Sequence, residues 1–166
     1  LIGALLALSA LHTLPPLMAA SVAIGGLLWR RGERVWSWLL PVALLGGACL
    51  NMALKEAFQR QRPAFSGLAA ELHSYSFPSG HAAHATVFYG LLALLAWQGL
   101  RHRPGWRGLA TGAALLMAAL VMAARVLLGV HYLADVLAGL LVGIAWLGVL
   151  LAILLPAPMR PFGLKR

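Results

Sequence analysis

Acidic residues are scarce in this chain: four Asp and Glu stand against 13 Lys and Arg, and charges of either sign make up only 10% of the sequence. A water-soluble domain carries roughly 25% charged residues, so that class is excluded. Cysteine is rarer still. Cys49 is the single one and lies inside an apolar run, which rules out an internal disulfide framework or a thiolate metal site. Polar stretches of any length are also lacking except at residues 55 to 78, so no separate soluble domain fits. No basic stripe interleaved with aromatic residues runs between the apolar segments, so the net charge of +9 does not point to nucleic acid. Residues 1 to 14 lack a basic leader and are not expected to be a signal peptide; the chain is expected to have been cut or processed from something longer.

What is present is hydrophobic sequence, 61% of the residues with a mean hydropathy of +0.85, in runs of about 20, the length that crosses a bilayer as helix. Leu17 to Trp29, led by Pro15-Pro16, is a somewhat short span; Val35 to Leu54, Gly80 to Leu100, Trp106 to Leu128 and His131 to Leu155 are the others. Residues 1 to 14, closed by Pro15-Pro16, are too short to cross and read as the tail of a helix or an interfacial segment. The expected fold is all-α: a polytopic transmembrane bundle with five full spans and a partial sixth, forming one membrane-embedded domain over residues 1 to 166 with its core at 35 to 155.

Lys and Arg are retained on the cytoplasmic side of membrane proteins, and here they divide unevenly. Nine of the 13 (Arg30, Arg31, Arg34, Arg101, Arg103, Arg107, Arg160, Lys165 and Arg166) fall at one set of helix ends. Lys55, Arg60, Arg62 and Arg125 fall at the other, which is therefore placed outside. Basic residues kept against this bias, near acids and histidines, are expected to serve chemistry rather than merely to snorkel.

Three polar sets share that outer face. Lys55 is followed after six residues by Arg62-Pro63. Pro78-Ser79-Gly80-His81 stands at the start of a helix, where unpaired backbone N–H groups make an anion site and Gly80 permits close approach. Arg125 is followed after five residues by His131 and after three more by Asp135. A phosphoryl group in transfer spreads negative charge over three oxygens and needs fixed cations, which Lys55, Arg62 and Arg125 supply. It also needs a nucleophile with a fixed tautomer. His131 and Asp135 lie one helical turn apart on one face, so Asp135 can hold one ring nitrogen and leave the other to attack. His81 titrates near neutrality and can protonate the leaving oxygen. Singly each piece is weak, since a His-x-x-x-Asp pair is more often a satisfied buried hydrogen bond and Arg62-Pro63 could be a loop corner. Their co-occurrence, in order, at the outer ends of apolar spans is the specific signal.

That combination resembles the type 2 phosphatidic acid phosphatase family, integral membrane phosphatases related to the vanadium haloperoxidases. The family pattern is Lys, six residues, Arg-Pro; then Pro-Ser-Gly-His; then Ser-Arg, five residues, His, three residues, Asp. Ala124 stands where the family usually has Ser, and its expected effect is the loss of a helix-start contact rather than of the reaction. The resemblance implies a six-helix membrane core and a lipid phosphatase in which His131 attacks phosphorus, Asp135 orients it and His81 protonates the leaving group. Lys55, Arg62, Arg125, Ser79 and Gly80 would bind the phosphate, with no metal and no other cofactor. The partners implied are the bilayer and a lipid phosphate or diphosphate. A headgroup that is little more than phosphate suits the short outer loop, so undecaprenyl diphosphate comes first and phosphatidylglycerophosphate or phosphatidic acid second. The setting expected is a bacterial inner (plasma) membrane with the active site on the periplasmic or extracellular face.

Transfer of the group to another lipid uses the same phosphoenzyme and stays open. A transporter is disfavoured, because residues 85 to 97, 109 to 121 and 136 to 155 carry no charge, whereas a permeation path needs polar groups through the middle. His84, on nearly the face of His81, is expected to pack or to support the site rather than to pair on a metal. His12, His73 and His102 receive no assignment; Glu71, His73 and Tyr75 line the entrance or are solvated loop.

The topology is testable by labelling. In a background lacking Cys49, a Ser66→Cys protein should react with an impermeant thiol reagent added outside intact cells and an Arg103→Cys protein should not. The reverse pattern would turn the site toward the cytoplasm.

Overall fold

The computed structural model describes residues 1 to 63 and 74 to 154. Ser66, Glu71, His73, the closing prolines Pro156 and Pro158, and the basic tail Arg160, Lys165 and Arg166 lie outside the described residues. Within them the chain is helical, with α1 at Ile2–Leu11, α2 at Leu14–Arg30, α3 at Arg34–Phe58, α4 at Gly80–Gly99, α5 at Pro104–Leu127 and α6 at Leu133–Leu154. Three of these, α3, α5 and α6, are long and apolar enough to cross a membrane alone, and α1 with α2, bent by 53° at their junction, make a fourth candidate.

The break between α1 and α2 falls at His12-Thr13 and not at the prolines. Pro15 and Pro16 occupy the first turn of α2, where a missing N–H leaves no helical bond unmade, so they start α2 instead of ending α1. Residues 2 to 11 form a helix, α1, that packs against α5. His12 is buried at the bend, with Nδ1 2.7 Å from the Leu8 carbonyl and Nε2 2.6 Å from the Tyr89 hydroxyl on α4.

Helix α4 falls short of the apolarity of an isolated span, and its surroundings explain why it can. It touches α2, α3, α5 and α6 and buries residues on several faces, Ala82, Ala83, Thr86, Phe88 and Leu91 among them. A helix wrapped by others is not required to be uniformly apolar against lipid. Leu39, Leu40 and Leu44 of α3 meet Val87 and Leu91 of α4 and Leu147 of α6 in the main core. Trp146 sends its indole N–H to the Ala43 carbonyl at 2.8 Å, so its polar edge is satisfied within that core.

Two local devices bring the site residues to one end. The first is the close packing of α4 on α6. A Cβ at Gly139 would lie 2.5 Å from the Ser79 carbonyl oxygen and 2.8 Å from the Ala82 Cβ, and one at Gly143 2.7 Å from the Thr86 Cβ. This small-x-x-x-small stripe lets the two backbones approach. The start of α4 is thereby set against the start of α6. The second device is the turn after α5. Gly129, at φ +67°, ends the helix as Gly129 N–H donates to the Val126 carbonyl and Val130 N–H to the Arg125 carbonyl. That reversal carries the chain from Arg125 to His131 within six residues. Ala124 is fully buried in the last turn of α5; a serine there would sit at a helix end, so the expected helix-start contact does not arise.

The packing of α4 on α6 predicts that Gly139→Ala, which puts a methyl group against backbone, will destabilise the protein by about 1–3 kcal/mol. Gly148→Ala, where a Cβ meets nothing within 4 Å, should leave thermal unfolding in detergent unchanged. Equal effects of the two would refute the close approach.

Candidate active site

The alternation of helices puts the ends of α3 and α5 and the starts of α4 and α6 at one end of the bundle. There a cavity of about 180 Å³ is lined by Lys55, Arg62, Gly80, His81, Arg125 and His131, with His84 and Ser74 beside them and Thr13 and Leu14 at the α1–α2 bend. Asp135 and Ser79 are fully buried behind this wall. The larger groove near Trp29 and Trp38 is almost wholly apolar and lies at the other end of α2 and α3.

His131 sits in the loop before α6, almost completely buried. Its Nε2 is 3.2 Å from Nη1 of Arg62, an arginine that can only donate, so Nε2 is the acceptor and carries its lone pair on that side. Its Nδ1 faces the other way, 3.5 Å from Asp135 Oδ2 and 3.5 Å from the Ser76 hydroxyl. Burial, followed by the positive charges of Arg62, Arg125 and Lys55, pushes its pKa well below the ordinary imidazole value. The ring is therefore neutral at physiological pH, as a nucleophile must be.

Asp135 is held from several sides. It is the third residue of α6, and its Oδ2 accepts from the Tyr132 N–H at 2.9 Å, the return half of a capping box that fixes the helix start. The Ser76 hydroxyl also donates to Oδ2. Arg60 Nη1 reaches Oδ1 at 2.8 Å. The Asp135 backbone carbonyl accepts the Ser79 N–H at 2.9 Å, tying α6 to the start of α4.

Two of the cations are fixed by carbonyls. Lys55, in the last turn of α3, donates to the Tyr75 carbonyl. Arg62 donates through Nε to the Ser74 carbonyl at 2.8 Å, through Nη2 to the Ser74 hydroxyl at 2.9 Å and through Nη1 to the Val130 carbonyl at 2.9 Å. Burial lowers its pKa while Asp135 opposes the shift. Arg125 is buried, and its Nε has no hydrogen-bond partner among the described residues. A buried guanidinium with an unused donor is suited to an anion.

At the start of α4, Ser79 is the N-cap and its hydroxyl oxygen accepts from the Ala82 N–H at 3.5 Å. Gly80 lines the cavity, and a Cβ there would lie 3.2 Å from the Asn51 side-chain oxygen. His81 has Nε2 3.1 Å from the Ser9 carbonyl at the end of α1. A carbonyl can only accept, so the N–H is on Nε2 and Nδ1 is the atom left to take up and deliver a further proton.

Lys55, Arg62, Gly80, His81, Arg125 and His131 thus share one cavity, with Asp135 and Ser79 directly behind it. Three contacts had no sequence signal: Arg60 on Asp135, Ser76 between Asp135 and His131, and the Ser9 carbonyl on His81. His84, expected to pack or to support the site, lines the cavity with Nε2 unpartnered among the described residues.

A helical membrane bundle with cations and three histidines gathered at one end defines the class, and comparison with known proteins gives the family. The PAP2 superfamily model matches residues 36–157, and the chain belongs to that superfamily. Phosphatidylglycerophosphatase B of Bacillus subtilis (strain 168) is 37% identical over 113 residues, 68% of this chain and 55% of that protein. Lipid A 1-phosphatase of Rhizobium etli is 30% identical over 128 residues, 72% of this chain and 50% of that protein. The chain spans about half the length of the curated relatives it matches. The crystal structure of a transmembrane PAP2 type phosphatidylglycerolphosphate phosphatase from Bacillus subtilis superposes with a TM-score of 0.70 at 29% identity, covering 96% of this chain and 79% of that one.

The depressed pKa of His131 has a spectroscopic consequence. In protein carrying ¹³C-labelled histidine, the His131 ring signal, assigned by its loss in His131→Ala, should stay that of neutral imidazole as pH falls from 8 to 5. Titration with a midpoint near 6.5 would contradict the burial and the surrounding positive charge.

Proposed function

We propose that this protein is a metal-independent lipid phosphatase that acts through a phosphohistidine on His131. The observation that carries the proposal is the two-sided setting of that ring: Nε2 toward Arg62 and a cavity rich in cations, Nδ1 toward the buried carboxylate of Asp135. In the first step Nε2 attacks phosphorus and the bond to the leaving oxygen breaks as that oxygen takes a proton from Nδ1 of His81. Asp135 steadies the positive charge that develops on the His131 ring. Arg62, Arg125 and Lys55, with the Gly80 N–H, hold the three phosphoryl oxygens, whose charge is greatest in the transition state, while Ser79, behind the cavity wall, caps the helix that presents Gly80. In the second step water attacks the phosphohistidine, His81 accepts its proton, and inorganic phosphate leaves with His131 restored.

The site lies at the helix ends, so a phosphate enters at headgroup level while an acyl or prenyl tail stays in the bilayer. Phosphatidylglycerol phosphate is the favoured substrate, on the strength of the Bacillus subtilis relatives. Undecaprenyl diphosphate, which the sparse outer loop favoured in the sequence, comes second. The uneven distribution of Lys and Arg supports a site on the outer face of a bacterial inner membrane.

Turnover in detergent micelles tests this. Phosphatidylglycerol phosphate, undecaprenyl diphosphate, phosphatidic acid and a soluble aryl phosphate should rank in that order by kcat/KM. A tenfold preference for undecaprenyl diphosphate, about 1.4 kcal/mol of transition-state discrimination, would reverse the order of the first two, and preference for the aryl ester would undo the lipid assignment. His131→Ala and Asp135→Asn should lower kcat by about 10³-fold or more while remaining folded. Chelators should leave activity intact and vanadate should inhibit, because the cations here supply the charge that metal ions supply elsewhere. Near-normal turnover by folded His131→Ala protein would end the phosphohistidine scheme.

A further inference from the structure

Two side chains that hold Asp135 take no part in the phosphate chemistry above. Arg60 is not among the residues lining the cavity. It approaches Asp135 from the far side, its Nη1 2.8 Å from Oδ1, and its guanidinium carbon lies 4.4 Å over the centre of the Tyr132 ring. Ser76, fully buried, donates its hydroxyl to Oδ2. The two are joined through the backbone as well, since the Ser76 N–H donates to the Arg60 carbonyl at 2.8 Å.

We propose that Arg60 and Ser76 are positioning residues for the reaction, gripping the two oxygens of Asp135 so that Oδ2 is presented to Nδ1 of His131. The assignment rests on the phosphohistidine reading above. Its physical basis is that a carboxylate can turn about its bond to the chain, and His131 Nδ1 lies 3.5 Å from Oδ2, a separation that a small rotation would open further. Arg60 on Oδ1, with Ser76 and the Tyr132 N–H on Oδ2, removes that freedom. Ser76 does more than anchor. Its oxygen is also 3.5 Å from Nδ1, so the N–H of His131 has two acceptors on this side and none is needed on the other. Nδ1 therefore keeps the proton and Nε2 keeps the lone pair. The single contact from Arg60, through one nitrogen, implies that a lysine could replace it in part, whereas a neutral amide could not compensate the buried charge.

Steady-state kinetics on the full chain in detergent micelles, with the fastest of the four substrates above, tests the assignment. Arg60→Gln should lower kcat by about 10- to 100-fold, the usual penalty for a reacting group held slightly out of place, with KM within twofold. Arg60→Lys should recover most of the loss. Ser76→Ala should lower kcat by about 3- to 30-fold with KM equally unmoved, and Ser76→Thr should restore it. In an Asp135→Asn background, Arg60→Gln should change the residual kcat by less than about threefold, because nothing is left to position. An effect of Arg60 that does not run through Asp135 would instead lower kcat by the same factor in both backgrounds, and that result overturns the proposal, as does Arg60→Gln with wild-type kcat. If Arg60→Gln fails to fold by thermal unfolding, Ser76→Ala decides alone, wild-type kcat counting against. His131→Ala separates the two levels: if it is active, the phosphohistidine reading falls and this assignment with it. If it is inactive while Arg60→Gln and Ser76→Ala are normal, only the positioning assignment falls.

Discussion

A carboxylate with no exposure to water, that of Asp135, is the point on which the cavity end of this protein depends. An isolated buried charge of this kind costs several kcal/mol unless it is fully paired, and the pairing here draws in three separate stretches of chain. Arg60 comes from the segment after α3, Ser76 from the segment before α4, and the Tyr132 N–H from the turn after α5. The backbone of the same residue receives Ser79 at the start of α4. Satisfying one side chain therefore fixes the relative positions of the segments that carry the groups proposed to bind phosphate or move a proton. Fold and chemistry share a constraint.

Helix packing delivers these segments to the carboxylate. The glycine stripe on α6 lets α4 approach until backbone meets backbone, which seats the cap at Ser79 against Asp135. Gly129 turns the chain sharply enough that Arg125 and His131 line the same cavity from either side of one loop. Positive charges then crowd a neutral imidazole. Their mutual repulsion is unfavourable until an anion arrives, so the site's own electrostatics favour binding of an anion, as the proposed reaction requires.

Much of this was legible in the residues. The apolar runs gave the helices because a bilayer imposes their length, and the spacing of Lys55 to Arg62, Arg125 to His131 and His131 to Asp135 gave the groups, although each spacing crosses a helix end, so that His131 precedes α6 instead of lying one turn from Asp135 on it. The remainder was hidden for definite reasons. The first break was assigned to Pro15-Pro16, yet proline is tolerated in a first turn, so the helix boundary moved to His12-Thr13. The α4 helix looked like any other span, although its central place lets it carry His81, His84 and Tyr89. Arg60 stood out only as one of the four basic residues expected to serve chemistry, since nothing local says that it reaches a carboxylate 75 residues away. The Ser9 carbonyl is a backbone atom and leaves no mark in sequence at all.

The central claim is a covalent bond between phosphorus and Nε2 of His131. Mixing the protein in micelles with radiolabelled phosphatidylglycerol phosphate, quenching in alkali within milliseconds and mapping the label by digestion and mass spectrometry tests it directly. The account predicts an acid-labile, alkali-stable phosphoryl group on His131, abolished in His131→Ala and longer-lived in His81→Ala, where water lacks its base. Label on any other residue, or full turnover with no labelled protein at any quench time, would contradict it.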